Sequence, residues 1–432
     1  MKASSRCLWL FLCFGFISSV WAQNQEGRPG KHFSPRHRMD NQTSRRLGLT
    51  ASQSFNVQAN PGHAAKTWEL GTYKGGTWFA TLSINDFGVI VGRGDVPPLG
   101  DDGVGYTHTL AVPLFGPHAG EWFDLGALDG DQSRGAEFES VTTISNTGLV
   151  VGHSTAQDGY VHGVVWTKET GMVELGTLAD TGDPAYEDYK SSLAFYTNKL
   201  GTLIVGISQP TDGPPLPVVW TPAMNRGGPA VVWKIHRLDT LAELPYGQAW
   251  GLNDFGQITG VCGGNVGDHV TGVVWNPRAD GKGWQLRALP LDPDYPNSNA
   301  YGINERGEIT GVAISGDGSI WLPRLWKPLN RTRTKYSDAI ELSLPDGLKF
   351  GGESVGINDL GDMVGDCWND DYSLDLAVRW STKDPSFSEI INFPMDWGFA
   401  WGVNNNRIAV VQYYGGNNCP SGGPCGGAVQ LP

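Results

Sequence analysis

The sequence predicts an all-β fold: a seven-bladed β-propeller of four-stranded antiparallel blades, closed by pairing of its N- and C-terminal strands. Three observations lead to this prediction. A short pattern recurs seven times, each repeat contains four apolar runs, and the last repeat is split between the two ends of the chain. The recurrence sets the number of blades, the runs set the number of strands, and the split indicates how the ring closes.

The recurring pattern is clearest at residues 252–260, which read Leu-Asn-Asp-Phe-Gly-Gln-Ile-Thr-Gly. Its seven copies start at residues 84, 144, 197, 252, 303, 357 and 403, at intervals of 46 to 60 residues. A period of about 50 residues built from short apolar runs is typical of propeller blades. Seven mutually dependent units form one body, so we expect one domain rather than three.

Each repeat has the same order of elements. The first run alternates small and bulky residues, as in Ala-Trp-Gly-Leu at 249–252, and we interpret its bulky side as the surface that nests against the next sheet. An Asn-Asp-x-Gly turn follows, which lacks the final Glu of a calcium loop and therefore favours turn chemistry. The third run ends in Trp, for example Trp220 and Trp275. Packing is the favoured role of these Trp rings, and a row of sugar-stacking rings is the alternative.

The two ends of the chain carry complementary runs. The repeat region opens with a fourth-type run, Trp-Glu-Leu-Gly-Thr at 68–72, and finishes with a third-type run at 427–431. Pairing the two completes the seventh blade and removes the open sheet edges. A linear solenoid would gain nothing from this split, since it requires polar capping repeats instead.

Three motifs in constant order resemble the HAF family of extracellular repeat proteins. They are the Ile-Asn-x-x-Gly-x-Val-x-Gly core, the Val-Val-Trp run that is fullest at 162–166, and the Leu-Gly-Thr-Leu run at 175–178. The resemblance covers most of residues 65–431, although most copies lack the His-Ala-Phe triplet that names the family. It implies export and repetition, and it implies no activity or catalytic residue.

The chain before the repeats divides into two segments. Residues 1–22 have a positive start, an apolar core and a small-residue ending, which predicts a secretory signal, with an uncleaved anchor as the alternative. Residues 23–64 are polar and basic, and they predict a disordered linker that is a solvated spacer, a surface tether or an intramolecular arm. Residues 65–432 form the propeller. Localisation is therefore predicted to be extracellular or periplasmic.

Export permits disulfides. Cys419 and Cys425 flank a tight Pro/Gly loop, and we expect a disulfide between them. Cys262 and Cys367 occupy equivalent places two repeats apart, too far for a bridge between radial blades, so we expect both to be reduced. No CxxC pair or histidine cluster is present, and we predict no metal site and no cofactor.

The charge pattern limits the partners. A formal net charge of −13 argues against nucleic acid, because phosphate binding requires a basic surface. No segment after the signal is apolar for long enough to span a membrane. We expect a monomer that takes a carbohydrate or protein ligand.

The candidate binding residues lie on long loops. In an up-and-down blade the loops after the second and fourth runs emerge on one face, which we call the long-loop face, and the hairpin turns emerge on the other, the turn face. Binding residues concentrate on such loops. The predicted ligand-binding residues are Asp131, Arg134, Asp183, Tyr186, Asp188, Asp294, Tyr295, Trp368, Asp370 and Asp371.

These residues support two functions. The favoured one is a secreted, non-enzymatic propeller that binds a glycan or a protein; the alternative is a propeller hydrolase or lyase that acts on polysaccharide through loop carboxylates. A purely structural repeat and simple solubility of acidic loops remain further explanations. His153 is a weak candidate base on the same face. No GxSxG, HExxH or phosphate-binding loop is present in the sequence.

Overall fold

The computed structural model describes residues 66–97, 105–128, 140–223, 231–264, 269–393, 397–414 and 424–432. In chain order its strands are β1 (Thr67–Gly71), β2 (Phe79–Ile84), β3 (Val89–Val96), β4 (Tyr106–Pro113), β5 (Phe123–Gly126), β6 (Ser140–Ile144), β7 (Val150–Thr155), β8 (Val161–Thr167), β9 (Gly171–Glu174), β10 (Ser191–Thr197), β11 (Ile204–Gln209), β12 (Leu216–Ala223), β13 (Val232–Arg237), β14 (Tyr246–Leu252), β15 (Ile258–Gly263), β16 (Val270–Pro277), β17 (Trp284–Ala288), β18 (Asn297–Ile303), β19 (Ile309–Ile314), β20 (Trp321–Trp326), β21 (Ile340–Glu341), β22 (Gly351–Ile357), β23 (Asp362–Trp368), β24 (Asp375–Ser381), β25 (Asp384–Ile390), β26 (Trp397–Val403), β27 (Ile408–Tyr414) and β28 (Cys425–Gln430). Two short 3-10 helices, Leu178–Thr181 and Pro184–Tyr186, lie between β9 and β10.

The strands form seven antiparallel four-stranded sheets, so the seven-bladed propeller is confirmed. Blades 1 to 6 take consecutive sets of four strands from β2 to β25. Blade 7 takes β26, β27 and β28, and its outermost strand is β1 from the other end of the chain. Thr67 pairs with Val429 and Trp68 with Ala428, which confirms the predicted closure by the termini.

The repeated Trp of the third strand packs between blades. Trp220, Trp275, Trp326 and Trp380 are at most 1% exposed. Each indole N–H donates to a backbone carbonyl of the preceding blade, as from Trp220 to Gly176 at 2.9 Å and from Trp380 to Ser343 at 2.7 Å. The packing interpretation is therefore confirmed for these rings, since a fully buried face cannot stack on a sugar.

The small and bulky residues of the inner strands have a different arrangement from the predicted nesting. The small residues Ala249, Ala300 and Ala400 are fully buried, whereas the bulky residue next to each of them is only partly buried. A β-bulge falls on this bulky residue in every inner strand. A bulge turns a side chain away from the regular alternation, so the bulky positions lie toward the propeller axis and not wholly between the sheets.

The two cysteines of equivalent repeat position, Cys262 and Cys367, are buried and free, as expected. Cys419 lies outside the described residues, so the disulfide from Cys419 to Cys425 stays a prediction. The signal, the linker and its boundary with the propeller also lie outside the described residues.

Candidate functional site

The Asn that opens each inner hairpin joins one blade to the next. Asn358 shows the pattern: its Oδ1 accepts from the backbone N–H of Leu360 and Asp362, at 3.0 and 2.8 Å, and its Nδ2 donates to the carbonyl of Asn404 in the next blade at 2.9 Å. The side-chain amide thus shapes its own turn, as expected for Asn, and also fixes the neighbouring blade.

This linkage runs around the whole ring. Equivalent donations connect Asn85 to the Ser145 carbonyl, Asn198 to the Asp254 carboxylate, Asn253 to the Asn304 carbonyl, Asn304 to the Asn358 carbonyl and Asn404 to the Asn85 carbonyl. Ser145 replaces Asn in blade 2, and there the backbone N–H of Asn146 donates to the Lys199 carbonyl at 2.8 Å. All seven blade junctions are therefore bridged on the turn face, including the junction between blades 7 and 1.

The residue after this Asn points toward the axis. We call these seven residues the axial ring: Asp86, Asn146, Lys199, Asp254, Glu305, Asp359 and Asn405. Side chains of the ring accept from backbone N–H groups of the preceding blade, as from Glu305 to Asp359 at 2.9 Å and from Asp359 to Asn405 at 2.9 Å. Lys199 of blade 3 forms an ion pair with Asp359 of blade 6. Because these blades lie on opposite sides of the propeller, this ion pair crosses the axis.

Burial and charge act together on the ionisation of the axial ring. Burial opposes ionisation of Asp359, but hydrogen bonds from Lys199, from the Glu305 amide and from Asn405 outweigh it and lower the pKa of Asp359. Glu305 has no ion-pair partner among the described residues. Burial and the carboxylates of Asp254 and Asp359 raise its pKa, and this rise outweighs the opposing effects of the Asp254 amide and the Lys199 charge. The ring is therefore an acidic centre with a single internal ammonium among its seven members.

Tyr196 lies inside the propeller beside the axial ring. Its side chain is 37% exposed, yet burial raises its pKa to about 12, with further contributions from Asp359, Glu305, Asp86 and Asp254. These four carboxylates belong to blades 6, 5, 1 and 4, and Tyr196 belongs to blade 3. A single phenol can lie close to all four carboxylates only near the axis. Tyr196 therefore lies near the axis, beside the axial ring.

Aromatic side chains lie near the axis at one register of the inner strands. The β-bulge residue, three positions before the Asn, is aromatic in four blades, and we call Phe195, Trp250, Tyr301 and Trp401 the aromatic belt. All four are partly exposed. The Phe195 and Trp250 rings are stacked with centroids 4.5 Å apart, and those of Trp250 and Tyr301 meet edge-on at 6.3 Å. The belt therefore presents ring faces and edges across consecutive blades.

Polar groups lie two positions before the belt on the same side of the strands. Tyr301 donates to Glu353 of the next blade at 3.0 Å, and the Phe399 ring of this register lies 5.1 Å from Trp401. Gln248 and Asn299, 4% and 2% exposed, hold this register in blades 4 and 5. Their amide oxygens find no hydrogen-bond partner among the described residues, and neither does the indole N–H of Trp250. Buried polar atoms normally have partners, so these three atoms are available to a ligand or to water.

A second polar group belongs to the second strands of blades 7, 1 and 2. Trp401 donates to the Gln412 side-chain oxygen at 3.2 Å, and Gln412 donates to the Tyr414 hydroxyl at 3.1 Å. His153 is 5% exposed, and neither ring nitrogen has a hydrogen-bond partner among the described residues. Burial, and then the charge of Arg93, lower the pKa of His153 to about 3, so its imidazole is neutral at physiological pH.

We call the aromatic belt together with Gln248, Asn299, Glu353 and Gln412 the axial site. Its chemistry combines aromatic faces with amide and carboxylate groups that donate or accept hydrogen bonds. The sequence pattern contained its signal, because the belt is the bulky residue of the Ala-Trp-Gly-Leu runs. We assigned these residues to sheet packing because the bulge is not visible in the sequence.

The predicted loop residues fall into separate groups on the long-loop face. Asp183 accepts from the Ala185 N–H at 3.0 Å, Tyr186 accepts from Arg237 at 3.0 Å, and the carbonyl of Asp188 accepts from Thr211 at 3.1 Å. This first group therefore lies between blades 2 and 3. Asp131 and Arg134 lie outside the described residues.

The second and third groups are in other blades. Asp294 donates its backbone N–H to Asp292 at 3.0 Å, and the Tyr295 ring lies 5.4 Å from the Arg324 guanidinium, between blades 4 and 5. In blade 6, Asp370 and Asp371 are exposed, whereas Trp368 is 4% exposed and packs in an apolar cluster with Val312, Ile314 and Trp321. The contacts of each group stay within its own loop or blade junction, and convergence of the three groups on one site stays a prediction.

Two surface cavities are lined by residues that belong neither to the predicted loop groups nor to the axial site. One of about 290 Å³ is lined by Leu128, Ala156, Gln157, Asp158 and Glu174 in blades 1 and 2. One of about 560 Å³ lies at blade 4 and includes Leu241, Glu243, His269 and Leu291. Neither contains a predicted binding residue or a member of the axial site.

Among the described residues, no group of three or more His, Cys, Asp or Glu side chains is arranged to hold a metal ion. Within the same part of the chain, no helix has the length and apolarity that a membrane crossing requires.

Comparisons with known proteins assign neither a family nor an activity to this chain. The chain matches no protein-family model and no curated protein, so the resemblance to the HAF family stays a prediction. Among solved structures it is similar to the β-propeller domain of the Trilobed protease from Pyrococcus furiosus, at 9% identity and a TM-score of 0.47, over 79% of this chain and 90% of that one.

Two further structures are similar at the same level. Puromycin hydrolase has 11% identity and a TM-score of 0.48, over 80% of this chain and only 51% of the hydrolase. A mutant of the Aleuria aurantia lectin, in complex with α-methyl-L-fucoside, has 10% identity and a TM-score of 0.37, over 74% of this chain and 95% of the lectin. Similarity of this degree concerns the β-propeller fold and identifies neither ligand nor activity.

Proposed function

We propose that this chain is a secreted, non-enzymatic propeller that binds a carbohydrate at the axial site. The observation that supports this most strongly is the aromatic belt, where four rings at one register of the inner strands are partly exposed. Ligand sites are typically concave and apolar, with a few placed polar groups. The belt provides the ring surfaces, and the unpartnered oxygens of Gln248 and Asn299 provide acceptors for hydroxyl groups.

The charges around the axis restrict the class of carbohydrate that the site can bind. The axial ring holds four carboxylates and one ammonium, and Glu353 adds another carboxylate beside Tyr301. A sulfated or uronic-acid glycan would be repelled by this excess of negative charge. A sugar with uncharged rings fits the site, because its apolar ring faces can stack on the belt and its hydroxyls can pair with the amides.

A hydrolase remains the second candidate, and carboxylates near the axis are candidates for its acid and base besides those of the loops. Glu353 and Asp366 are directly opposite each other on β22 and β23. Side chains opposite each other across antiparallel strands have Cβ atoms about 4.5–5.5 Å apart, which is compatible with the carboxylate spacing of a retaining glycosidase, about 5–5.5 Å. This pair is adjacent to Tyr301 and hence to the aromatic belt.

The test is a glycan array probed with the mature chain, followed by calorimetry of the best ligand. Trp250→Ala is expected to weaken binding by at least tenfold, about 1.4 kcal/mol, because it removes a stacking surface and an indole donor. Trp233→Ala is the matched control, since Trp233 is half-buried on the outer strand β13, and it should change affinity less than about twofold. Circular dichroism verifies that both variants are folded.

The same ligands are then assayed for turnover. A parent chain that binds glycans and releases no product supports the binding function. Turnover that disappears in Glu353→Gln would establish the hydrolase instead. A parent chain that binds no glycan, or a Trp250→Ala variant with parental affinity, contradicts the axial proposal.

A further inference from the structure

The turn face carries exposed apolar side chains around the axial ring. They occupy the position two residues after the Asn of the inner hairpin, where Phe87 is 69% exposed, Phe255 59%, Leu200 55% and Leu360 45%. These four residues, which we call the apolar ring, belong to blades 1, 4, 3 and 6. Large apolar side chains exposed together on one face indicate an interaction surface.

The centre of this face is acidic, and its arginines are already engaged. Arg306 pairs with Glu308, Arg407 pairs with Asp362, and Arg333 lies 4.1 Å above the Phe255 ring. Within the axial ring, Lys199 pairs with Asp359 alone. The other three carboxylates of the ring, those of Asp86, Asp254 and Glu305, have no ion-pair partner among the described residues. A ligand for this face therefore combines positive charge with apolar side chains.

The N-terminal segment of this chain enters the propeller at the rim of that same face. The Gln430 N–H donates to the Lys66 carbonyl at 2.8 Å, which places Lys66 beside the end of β28. The Gln430 side chain donates to the Asn406 carbonyl at 2.9 Å, and Asn406 belongs to the inner hairpin of blade 7. Lys66 is therefore on the turn face, and the segment before it is tethered to the propeller at that point.

This segment has the required composition. Before Lys66 it contains Arg28, Lys31, Arg36, Arg38, Arg45 and Arg46, against Glu26 and Asp40. Leu47 and Leu49 follow the arginine pair directly. Arg46 precedes Lys66 by 20 residues, and a flexible chain of that length spans about 25 Å on average. The outer strand lies about three strand spacings from the inner one, roughly 14 Å, so the arginine pair can reach the axis.

We propose that residues 45–49 dock intramolecularly on the turn face, with the two arginines at the axial ring and the two leucines on the apolar ring. A tethered segment has an effective concentration of about millimolar, so modest contacts suffice. This function is separate from carbohydrate binding at the axial site.

The test measures tryptic cleavage after Arg45 and Arg46 in the mature full-length chain, relative to cleavage after Lys31. At low salt the cleavage after the arginine pair is expected to be at least about tenfold slower than at 0.5 M salt, because salt screens the contact with the carboxylates. The protection should be independent of protein concentration, since the contact is intramolecular.

Two variants and one control locate the contact. The Asp86→Asn, Asp254→Asn double variant keeps one acceptor oxygen at each position and should lose most of the protection, and Phe87→Ser should lose it several-fold through the apolar ring. The control, Asp183→Asn with Asp294→Asn, removes the same charge from the long-loop face and should keep the parental protection. Phe87→Ser also tests the proposal if the double variant does not fold, since Phe87 is largely exposed.

Three outcomes would overturn the proposal. Rapid low-salt cleavage after Arg45 and Arg46 in the parent shows that no docking occurs. Equal loss of protection in the control shows a general charge effect without a site. Protection that increases with protein concentration assigns the contact to a second copy of the chain.

Discussion

The two faces of the propeller are held together in different ways. On the turn face each inner hairpin bonds to the next blade, and the Asn residues that do so are at most 6% exposed where the hairpin carries Asn. On the long-loop face some contacts also join neighbouring blades, as from the Val270 N–H to the Asn297 side-chain oxygen at 3.0 Å, and others stay within one loop, as where Asn369 bonds to Ser373 and to the Leu374 N–H. The linkage that repeats at every blade junction belongs to the turn face, and the loops of the long-loop face differ in length and composition.

The largest effect should come from a buried ion pair at the long-loop face. Arg324 is 0% exposed and its guanidinium pairs with Asp292 at 2.8 Å. Its second carboxylate, Glu341, is 68% exposed at 3.3 Å. Asp292→Ala should lower the free energy of unfolding by about 3–5 kcal/mol, because it leaves a buried cation without its main partner.

Urea denaturation measures this loss, and Asp294→Ala two residues away is the control. Asp294 is exposed, so its variant should change stability by less than about 0.5 kcal/mol. Similar values for the two variants would mean that the long-loop face has no tightly held point at all.

A direct comparison of the faces uses two asparagines in similar turns. Asn358→Ala removes a bond to the next blade and three bonds to its own turn, and it leaves buried backbone groups unpaired. We expect a loss of about 3 kcal/mol in the free energy of unfolding. Asn369→Ala removes bonds within one partly exposed loop and should cost about 1 kcal/mol or less. Equal losses in urea denaturation would remove the distinction between the faces.

The smallest effect concerns ionisation near the axial ring. The pKa of Tyr196 is about 12 against an ordinary 10.0, so between these values the folded chain keeps a proton that the unfolded chain loses. Tyr196 thus contributes stability that is complete below pH 10 and is lost as the pH rises towards 12. Tyr196→Phe should make stability fall less steeply over this interval.

Ultraviolet titration of tyrosinate detects the same group directly. The difference between the parent and Tyr196→Phe isolates Tyr196 from Tyr336 and Tyr413, whose pKa values burial also raises to about 12. Asp254→Asn should lower the pKa of Tyr196 because it removes one of the carboxylates that raise it, and Asp183→Asn on the other face should not. A Tyr196 that titrates near pH 10 would contradict its position beside the axial ring.

The fold was predictable because its determinants are local and repeated. The Asn-Asp-x-Gly turns set the phase of the blades, the buried Trp of the third strand marks its register, and the runs at 68–72 and 427–431 indicate the closure that pairs Trp68 with Ala428. Each of these signals depends on residues close in sequence or on a position that recurs in several repeats. Packing of the blades against each other then produces the ring.

The axial site was not predictable by the same reasoning. Trp250 and Trp401 were assigned to packing because regular alternation places them between sheets, and only the bulge turns them toward the axis. Convergence of the loop carboxylates Asp183, Asp294 and Asp370 stays a prediction, because it depends on blade geometry that a sequence does not contain. Contacts across the axis, such as that between Lys199 and Asp359, join residues 160 positions apart.

The most direct test of the central claim is a crystal structure of the chain with the tightest ligand from the glycan array. The account predicts a sugar ring within about 4 Å of the Trp250 or Trp401 ring, with a hydroxyl hydrogen-bonded to Gln248 or Asn299. A sugar bound instead at Asp183, Asp294 or Asp370, with the axial site unchanged, would contradict it and return the function to the long loops.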